Sequence, residues 1–600
     1  MKIILLISIF INVSAASSIA NKLQPIDSKT NSQYIKDHLN QKINWYKWND
    51  HNLKILKKSK KPIFLHIGYY GCHWCNKMSK DNFTDEKVIK ILNSQYISII
   101  VDKDQHPKVN EKYLNYQLNL IGSKGWPANL WLLPNLLPYY ASSYVSNSAT
   151  LEDRLSFIQL LKIFSDKFHS QYEKAEKLAR RVEKASLNKE IINLKKDEVF
   201  GGYKKEAKFV TEYPLIENQI KAYINQDKNL EKHNTKTLDS ILKAAIYDKV
   251  NGGLHRYSAS SNWETPHFEK RLHDNSFLIM ALANKFYQTQ DKKYFDFGIQ
   301  TINFIESSLK IEDNLYASII SADVIEKGLH KEGAYYLYSN KNLPKDCFKK
   351  YLKTAYSTTS LKNLTKKNIQ FCKKYYKKAK PISNIRPLND QRARIKDMIS
   401  LTRALFEFGV KTNKEVYIHK AYSLNKNILN RFMKNDILFE NCGKKKCYDK
   451  ASDEDYLSLL EINFKLSSFK TTFDSFKKIQ SIQKLTSLNL KGTKNKRLKH
   501  LYSMINLFFD KADKTDNLSP SSYFVVITGK EETTLEKKVF GTLFPFGAII
   551  KKNEINASYP FFKDKKTKSK TRLYICSSSM CFLPQTNIKD FLKKSKTLFK

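Results

Sequence analysis

Two cysteines, Cys72 and Cys75, stand two residues apart in the stretch GYYGCHWCNKM. Thiol exchange needs a thiolate that attacks and a second thiol near enough to resolve the mixed disulfide. A CxxC at the start of a helix supplies both. Its first turn brings the sulfurs within bridging reach, and the free N–H groups of the helix N-terminus stabilise negative charge on the first sulfur. Cys72 is therefore the expected nucleophile and Cys75 the resolver. His73 can place positive charge beside the thiolate, which tends to make the disulfide more oxidising. Trp74 either offers an aromatic face to a substrate chain or packs against the domain body. The bland alternative for the pair is a static disulfide that staples its loop. Zinc would want four N or S ligands, and no second CxxC or spaced His pair accompanies His66 and His73. No metal is expected, and no cofactor beyond the redox-active disulfide itself.

A second concentration of chemistry lies in NGGLHRYSASSNWETPHFEKRLHDNS, where His255, Arg256, Trp263, His267, Glu269, Asp274 and Asn275 crowd together. Sugar sites need that mixture: an aromatic face for the ring, carboxylates for acid or base work and His for proton transfer. Glu269 and Asp274 are five residues apart and need not share a face. The structural alternative is a hydrogen-bonded rim in which Glu269 pairs with Arg256.

Six further cysteines remain, an even set that favours disulfides in an exported protein. Local spacing suggests Cys442 with Cys447 and Cys576 with Cys581, leaving Cys347 for Cys372. A second exchange site at Cys576 and Cys581 is the alternative.

The elements that must hold these residues follow from periodicity. Around the CxxC the pattern is α/β: a helical stretch from Trp45 to Ser59, an apolar strand from Pro62 to Ile67, then CHWC opening a helix. A strand from Tyr96 to Val101 follows, and another from Ala128 to Leu133 comes directly after Trp126 and Pro127. Strand, CxxC, helix, strand, X-Pro, strand resembles the thioredoxin order, and that resemblance implies that Pro127 fills the cis position facing the CxxC. From about Leu151 to Asp513 the signals are helical, with apolar residues three and four apart in Asp274–Tyr287, Lys293–Ser308, Arg392–Gly409 and Val416–Met433. GGYKKEAKF at Gly201 and the loop at Asn251 interrupt them, and long structured loops in such a frame usually line its functional mouth. After Leu518 the chain turns α/β again, with strand-like SYFVVITG and RLYIC.

The chain of 600 residues fits two to four domains at roughly 150 residues each. Its N-terminus, MKIILLISIFINVSAASSIA, has the charged, apolar and small-residue regions of a secretory signal peptide over residues 1–20. An exported, periplasmic or secreted protein is expected, with no transmembrane segment once the signal is cleaved. The formal charge of +46 invites a polyanionic partner. The excess is mostly Lys spread from end to end, whereas a nucleic-acid surface is local and Arg-rich, so no nucleic acid is expected. Protein thiols or disulfides are the expected partners, with a carbohydrate-like ligand as a further one.

These motifs in this order resemble the spermatogenesis-associated thioredoxin-like family, known in bacteria as thioredoxin-domain proteins fused to a six-hairpin barrel. The resemblance runs through GYYGCHWCNKM, VDKDQHPKVNEKY, GSKGWPANLWLLPNLLPYY, the loop at Asn251, KEGAYYLYS and YICSSSMCFLPQ. It implies a multidomain α/β and all-α architecture: a thioredoxin-like domain over 30–150, an (α/α)6 toroid similar to N-acylglucosamine 2-epimerases over 151–515, and a small C-terminal α/β segment over 516–600. It also implies two readings of function, a thiol-disulfide oxidoreductase whose barrel binds a partner or ligand, or a sugar epimerase or glycoside-processing enzyme working through the barrel loop. A non-enzymatic scaffold is the third reading. The chain departs from the family pattern at Ser260, Arg271, His273, Lys396 and Asp397, which weakens the case for barrel chemistry.

Overall fold

The computed structural model describes residues 21–147, 155–187, 194–337, 382–435, 437–444 and 446–469, with the short segments 524–528, 549–551, 572–576, 590–591 and 593–594. The signal-like residues 1–20 lie outside them. The chain forms two compact units: Met1–Asn193 with Ser321–Tyr335 and Ser383–Asp390, and Leu194–Ile320 with Tyr336–Ile382 and Gln391–Lys600.

The first unit begins with α1 (Gln33–Lys36), β1 (Trp45–Tyr46) and α2 (Asp50–Leu56). The helix expected over Trp45–Ser59 thus starts late. Trp45 and Tyr46 pair in parallel with Ser98 and Ile99, and Asn49 caps the helix after them. Next come β2 (Ile63–Gly68), α3 (His73–Asp81), α4 (Glu86–Gln95), β3 (Ile97–Asp102), α5 (Pro107–Ile121), β4 (Ala128–Leu132) and β5 (Pro138–Ser142). The five strands lie in the order β1-β3-β2-β4-β5, with β2 parallel to β3 and antiparallel to β4. Every residue of β2, β3 and β4 is buried, as a sheet covered on both faces requires. That is the thioredoxin-like order read from the sequence.

Two helices expected in the all-α domain belong here instead. α6 (Phe157–Asp166), opened by a capping box of Ser156 and Gln159, packs on α4, and α7 (Tyr172–Leu187) packs on α5 and β5. Phe157 reaches the sheet core, with its ring centroid 5.8 Å from that of Phe64. The boundary expected at residue 150 therefore moves to about residue 193. A hairpin from far along the chain, strands Asp323–Glu326 and Leu329–Glu332, also joins this unit.

The second unit is built from helical hairpins: α8 (Leu215–Asn225), α9 (Lys228–Lys243), α10 (Leu272–Thr289), α11 (Lys292–Phe304), α12 (Ile395–Thr412), α13 (Glu415–Phe432) and α14 (Asp453–Phe469). α12 packs against both α10 and α13, around a core that includes Ile279, Phe408, Leu424 and Leu460. The helices expected from Asp274, Lys293, Arg392 and Val416 all form within a few residues of their expected ends. Near the C-terminus, Phe524–Thr528 lies between Ile549–Lys551 and Arg572–Cys576 in a three-stranded sheet, matching the expected return to α/β.

The two Gly-Gly loops of this unit are one structure made twice. In DEVFGGY, Asp197 Oδ1 accepts from the amides of Val199 and Phe200, and Lys208 Nζ donates to Asp197 Oδ2 at 2.5 Å and to Gly201 O at 2.8 Å. In DKVNGGL, Asp248 Oδ1 accepts from Val250 and Asn251, and Lys270 Nζ donates to Asp248 Oδ2 and Gly252 O, both at 2.7 Å. All four glycines have positive φ, and a Cβ on Gly201 or Gly252 would collide with Thr237 of α9 or press against Gln300 of α11 respectively. The Asp-x-Val-x-Gly-Gly spacing therefore marks an internal hairpin repeat.

Candidate functional site

The CxxC sits at the exit of β2, where the sheet ends and α3 begins. Cys72 is the N-cap residue of α3, with extended backbone, and its Sγ accepts from the amide of Cys75 at 3.1 Å. Cys72 and Cys75 are joined as a disulfide, with Cα atoms 5.2 Å apart. The helix N-terminus thus points its free amides at Cys72, where a thiolate would form on reduction. Cys72 is 4% exposed and Cys75 fully buried, so of the two only Cys72 reaches the surface at all. Trp126–Pro127 is a cis peptide. Because Ala128 pairs with Ile67, Pro127 lies level with the end of β2, beside the CxxC turn. Trp74 stands 40% exposed with its ring 5.1 Å from Tyr144 and 5.3 Å from His73, which leaves one aromatic face on the surface.

His73 has partners that no spacing near the CxxC foretold. Its Nδ1 lies 2.7 Å from Asp323 Oδ1 and its Nε2 3.5 Å from Glu332 Oε2, both on the distant hairpin. Asn76 Nδ2 donates to Asp323 Oδ2 at 3.1 Å, and His330 Nδ1 lies 3.4 Å from the same oxygen. Burial pushes the His73 imidazole down, but the Asp323 carboxylate, with Glu332, outweighs burial and carries it above the ordinary histidine value against Lys77. Burial likewise pushes Asp323 up, and His330, His73 and Asn76 overcome it, holding the carboxyl well below its usual range.

Beneath the turn is a second buried group. Asn129 Nδ2 donates to Ser143 O, so its Oδ1 faces His66 Nδ1 at 2.6 Å. His66 therefore carries its proton on Nδ1, and Nε2 accepts from the Tyr34 hydroxyl at 2.7 Å. Burial lowers His66 to about 3, so it stays neutral. A Cβ on Gly68 would collide with the Tyr34 hydroxyl and come within 3.1 Å of Cys75 Sγ, so this glycine lets the tyrosine and the buried sulfur share one space. His66 was a recognisable residue in the sequence; its Tyr34 and Asn129 partners were not, since they come from α1 and β4.

The barrel-loop residues are gathered in the second unit, largely into bonds that hold the loop. Arg256 Nη1 meets Glu269 Oε1 at 2.6 Å, and Arg256 N donates to Glu269 O. Burial would raise Glu269, but Arg256, His267 and Arg271 keep its carboxyl below the usual value. Asn275 accepts from Leu254 N and donates to Arg271 O, clamping the loop to α10. Trp263 is buried, with Nε1 bonded to Phe200 O, and so presents no open face for a sugar ring. His267 stacks on Tyr257 at 4.8 Å, and buried Asp274 lies 3.9 Å from Arg271 Nε. His255 is fully buried, lowered to about 3 first by burial and then by Lys270, and its Nδ1 meets Phe268 O at 3.0 Å. Its Nε2 has no hydrogen-bond partner among the described residues.

Of the other cysteines, Cys442 and Cys447 are bonded to each other across a β-hairpin, as their spacing suggested. Cys347, Cys372, Cys581 and the side chain of Cys576 lie outside the described residues. Among the described residues no group of three or more His, Cys, Asp or Glu is placed to hold a metal, and no helix is long and apolar enough to cross a membrane.

Fold and site together define a thioredoxin-like CxxC domain joined in one chain to a unit of packed helical hairpins. Residues 21–187 match the family model described as Thioredox_DsbH, a protein of unknown function (DUF255). Spermatogenesis-associated protein 20 of Homo sapiens is 29% identical over 342 residues, 52% of this chain and 43% of its own, and the Mus musculus protein matches equally. The chain thus spans under half the length of these relatives. Among solved structures, a D-mannose isomerase (12% identity, 49% of this chain and 64% of its own, TM-score 0.34) and the cellobiose 2-epimerase from Spirochaeta thermophila (11%, 52% and 74%, TM-score 0.36) are similar.

Proposed function

We propose that this protein is an exported thiol-disulfide oxidoreductase acting through Cys72 and Cys75, in the periplasm of a bacterial source. The observation that carries the reading is Cys72 at the N-cap of α3, bonded to the buried Cys75 and followed by His73, whose Nδ1 lies against the Asp323 carboxylate. In the exchange, a partner thiolate attacks the Cys72 sulfur, the Cys72–Cys75 bond breaks, and Cys75 leaves as a thiolate that takes a proton. A second partner thiol then attacks the mixed disulfide and releases Cys72, so two electrons pass from the partner dithiol to the CxxC. The exposed face of Trp74 and the backbone around Pro127 receive the partner chain. The helical toroid serves as the binding module for the partner or for a carbohydrate-like ligand. A cavity of 860 Å³ there, lined by Lys232, Lys236, Asp239, Asn262 and Glu264 among others, supplies the donors and acceptors such a ligand needs.

Equilibrating the purified protein in glutathione buffers, and trapping mixed disulfides on Cys75→Ala, tests this. A defined potential is expected, and in Cys75→Ala, by the reverse exchange, the Cys72 thiolate attacks a partner disulfide, one partner sulfur leaves as a thiolate, and the mixed disulfide persists because no Cys75 is there to release it. A Cys72 thiol of ordinary pKa together with no trapped partner overturns the reading.

A further inference from the structure

A hairpin some 250 residues beyond the CxxC in the chain crosses α3 from end to end. Ala322 N meets Gly71 O at 3.4 Å beside the first turn, and Lys80 Nζ donates to Gly328 O at 2.7 Å at the last. Its turn is two residues, Lys327 and Gly328, both with positive φ, the tight connection that fixes hairpin register. In that register Asp323 pairs with Glu332 and Ile325 with His330. Directly opposed residues and those two apart share a face. Asp323, His330 and Glu332 are therefore presented together, and that face meets His73 and Asn76.

We propose that Asp323, with Glu332, is a positioning residue of the redox site: the hairpin brackets both ring nitrogens of His73 with carboxylates, holds it as an imidazolium next to Cys72, and so sets the potential of the disulfide. A neutral imidazole has one N–H donor and one acceptor, and a carboxylate offers acceptors only. Asp323 Oδ1 is hydrogen-bonded to Nδ1 at 2.7 Å and Glu332 Oε2 faces Nε2 at ion-pair distance, 3.5 Å, so a carboxylate lies at each ring nitrogen and the arrangement favours the doubly protonated ring. Asp323 is 1% exposed at its side chain, so its charge faces little solvent and acts on the groups it touches. The charged and titratable groups around His73 are Lys77 on its own helix and Asp323, Glu332 and His330 on the hairpin, with Asp37 of α1 acting on His330. The direction of the shift at His73 agrees with this arrangement.

The consequence for the exchange follows from the proposed function, on which this inference rests. An imidazolium beside Cys72 stabilises its thiolate, hence the reduced form, and makes the disulfide a stronger oxidant. A segment that the sequence places among the helical hairpins thereby becomes part of the redox site, and removing it would leave the CxxC intact but less oxidising.

The test uses the full chain, with Asp323→Asn, Glu332→Gln, Asp323→Glu, His73→Ala and the double variant His73→Ala with Asp323→Asn. The pKa of His73 is read by NMR, the Cys72 thiolate by the pH dependence of iodoacetamide alkylation, and the potential in glutathione buffers. In Asp323→Asn, His73 is expected to titrate at least one unit lower. The Cys72 thiolate fraction at neutral pH should fall about tenfold, and the potential drop by about 30 mV, the equivalent of tenfold in the equilibrium constant. Glu332→Gln, at a side chain 27% exposed, should show a smaller shift of the same sign, and Asp323→Glu should recover most of the loss. With His73 already Ala, Asp323→Asn should change nothing more. An effect of equal size in the His73→Ala background, or a His73 that titrates at its ordinary value in the unaltered protein, overturns the proposal. If the disulfide fails to equilibrate with glutathione at all, the proposed function falls, while the NMR titration still decides whether Asp323 holds His73.

Discussion

Lys270 Nζ and Asp248 Oδ2 lie 2.7 Å apart in the Asn251 loop, in the arrangement that Lys208 and Asp197 repeat one hairpin earlier. Lys270 is fully buried and also donates to Gly252 O, between the rings of Phe304 and Tyr336. Such a pair has lost its hydration, and each partner depends on the other to replace it.

Breaking it from one side should therefore be costly. Asp248→Ala or Lys270→Met is expected to destabilise the helical unit by about 3–5 kcal/mol, because each leaves an unpaired buried charge. Changing both together should cost clearly less than the sum. Urea unfolding of the two single variants and the double measures this, and additive losses would show that the pair is not a coupled unit.

Gly68 carries the next prediction. A Cβ there collides with the Tyr34 hydroxyl and approaches Cys75 Sγ to 3.1 Å, so Gly68→Ala should cost about 1–3 kcal/mol of the first unit's stability. The clash is with the Tyr34 hydroxyl and with its ring carbon Cζ at 2.5 Å, so adding Tyr34→Phe removes the first of these and should return part of the loss although the hydrogen bond to His66 goes with it. Thermal melts of the single and double variants decide the matter. A double variant no more stable than Gly68→Ala alone would place the strain elsewhere.

How much of this was legible in the sequence depends on how far apart the partners lie. The strand, CxxC and helix succession is local, and Ile63–Gly68, His73–Asp81 and Ala128–Leu132 stand where periodicity put them. The allegiance of Phe157–Leu187 was not local. Amphipathic helices that pack on a sheet and those that pack on other helices share one period, so nothing in that stretch distinguished the two. Asp323 lies about 250 residues from His73, beyond any spacing argument. In the barrel loop, residue types suited to sugar chemistry are the same types that close a loop. Trp263 bonds Phe200 O and Asn275 holds Leu254, so their chemistry is spent on structure. The Asp-x-Val-x-Gly-Gly repeat was present in the sequence, and pairing each Asp with a Lys eleven or twenty-two residues onward was the signal that would have revealed those knots.

Acid should weaken the first unit through its buried histidines. Burial lowers His66 to about 3 and His38 to about 4 from 6.5. A base depressed in the folded state contributes stability that is fully present above the unfolded value and is lost as pH falls through the folded one. Between pH 6.5 and 4 the unfolded chain therefore binds one more proton per histidine, and stability falls by about 1.4 kcal/mol per pH unit for each. Calorimetric melts of the protein and of His66→Gln from pH 7 to 4 test this. The variant should show a slope smaller by about that amount, and equal slopes would remove His66 from the account.

The hairpin should be held most firmly in a bounded pH window. Asp323 is depressed below the ordinary aspartate value of 3.8, so its contribution is present above that value and is lost as pH falls below it. His73 is raised above 6.5, so its contribution is complete below 6.5 and is lost as pH rises through its folded value. Between roughly pH 4 and 6.5 both charges stand, and the contact of Asp323 with His73 is at its strongest. Above that window His73 loses one proton and with it the ion pair of Nε2 with Glu332, while Nδ1–H keeps a neutral, weaker hydrogen bond to Asp323 beside the Gly71, Asn76 and Lys80 contacts. Amide exchange across Val324 and Leu329–Lys331, corrected for the intrinsic rate, should therefore be slowest in the window. Protection should fall by up to tenfold for each unit by which His73 is raised. Asp323→Asn should flatten that dependence. Protection that stays constant from pH 5 to 9 in the unaltered protein would show that the His73 charge does not hold the hairpin to α3.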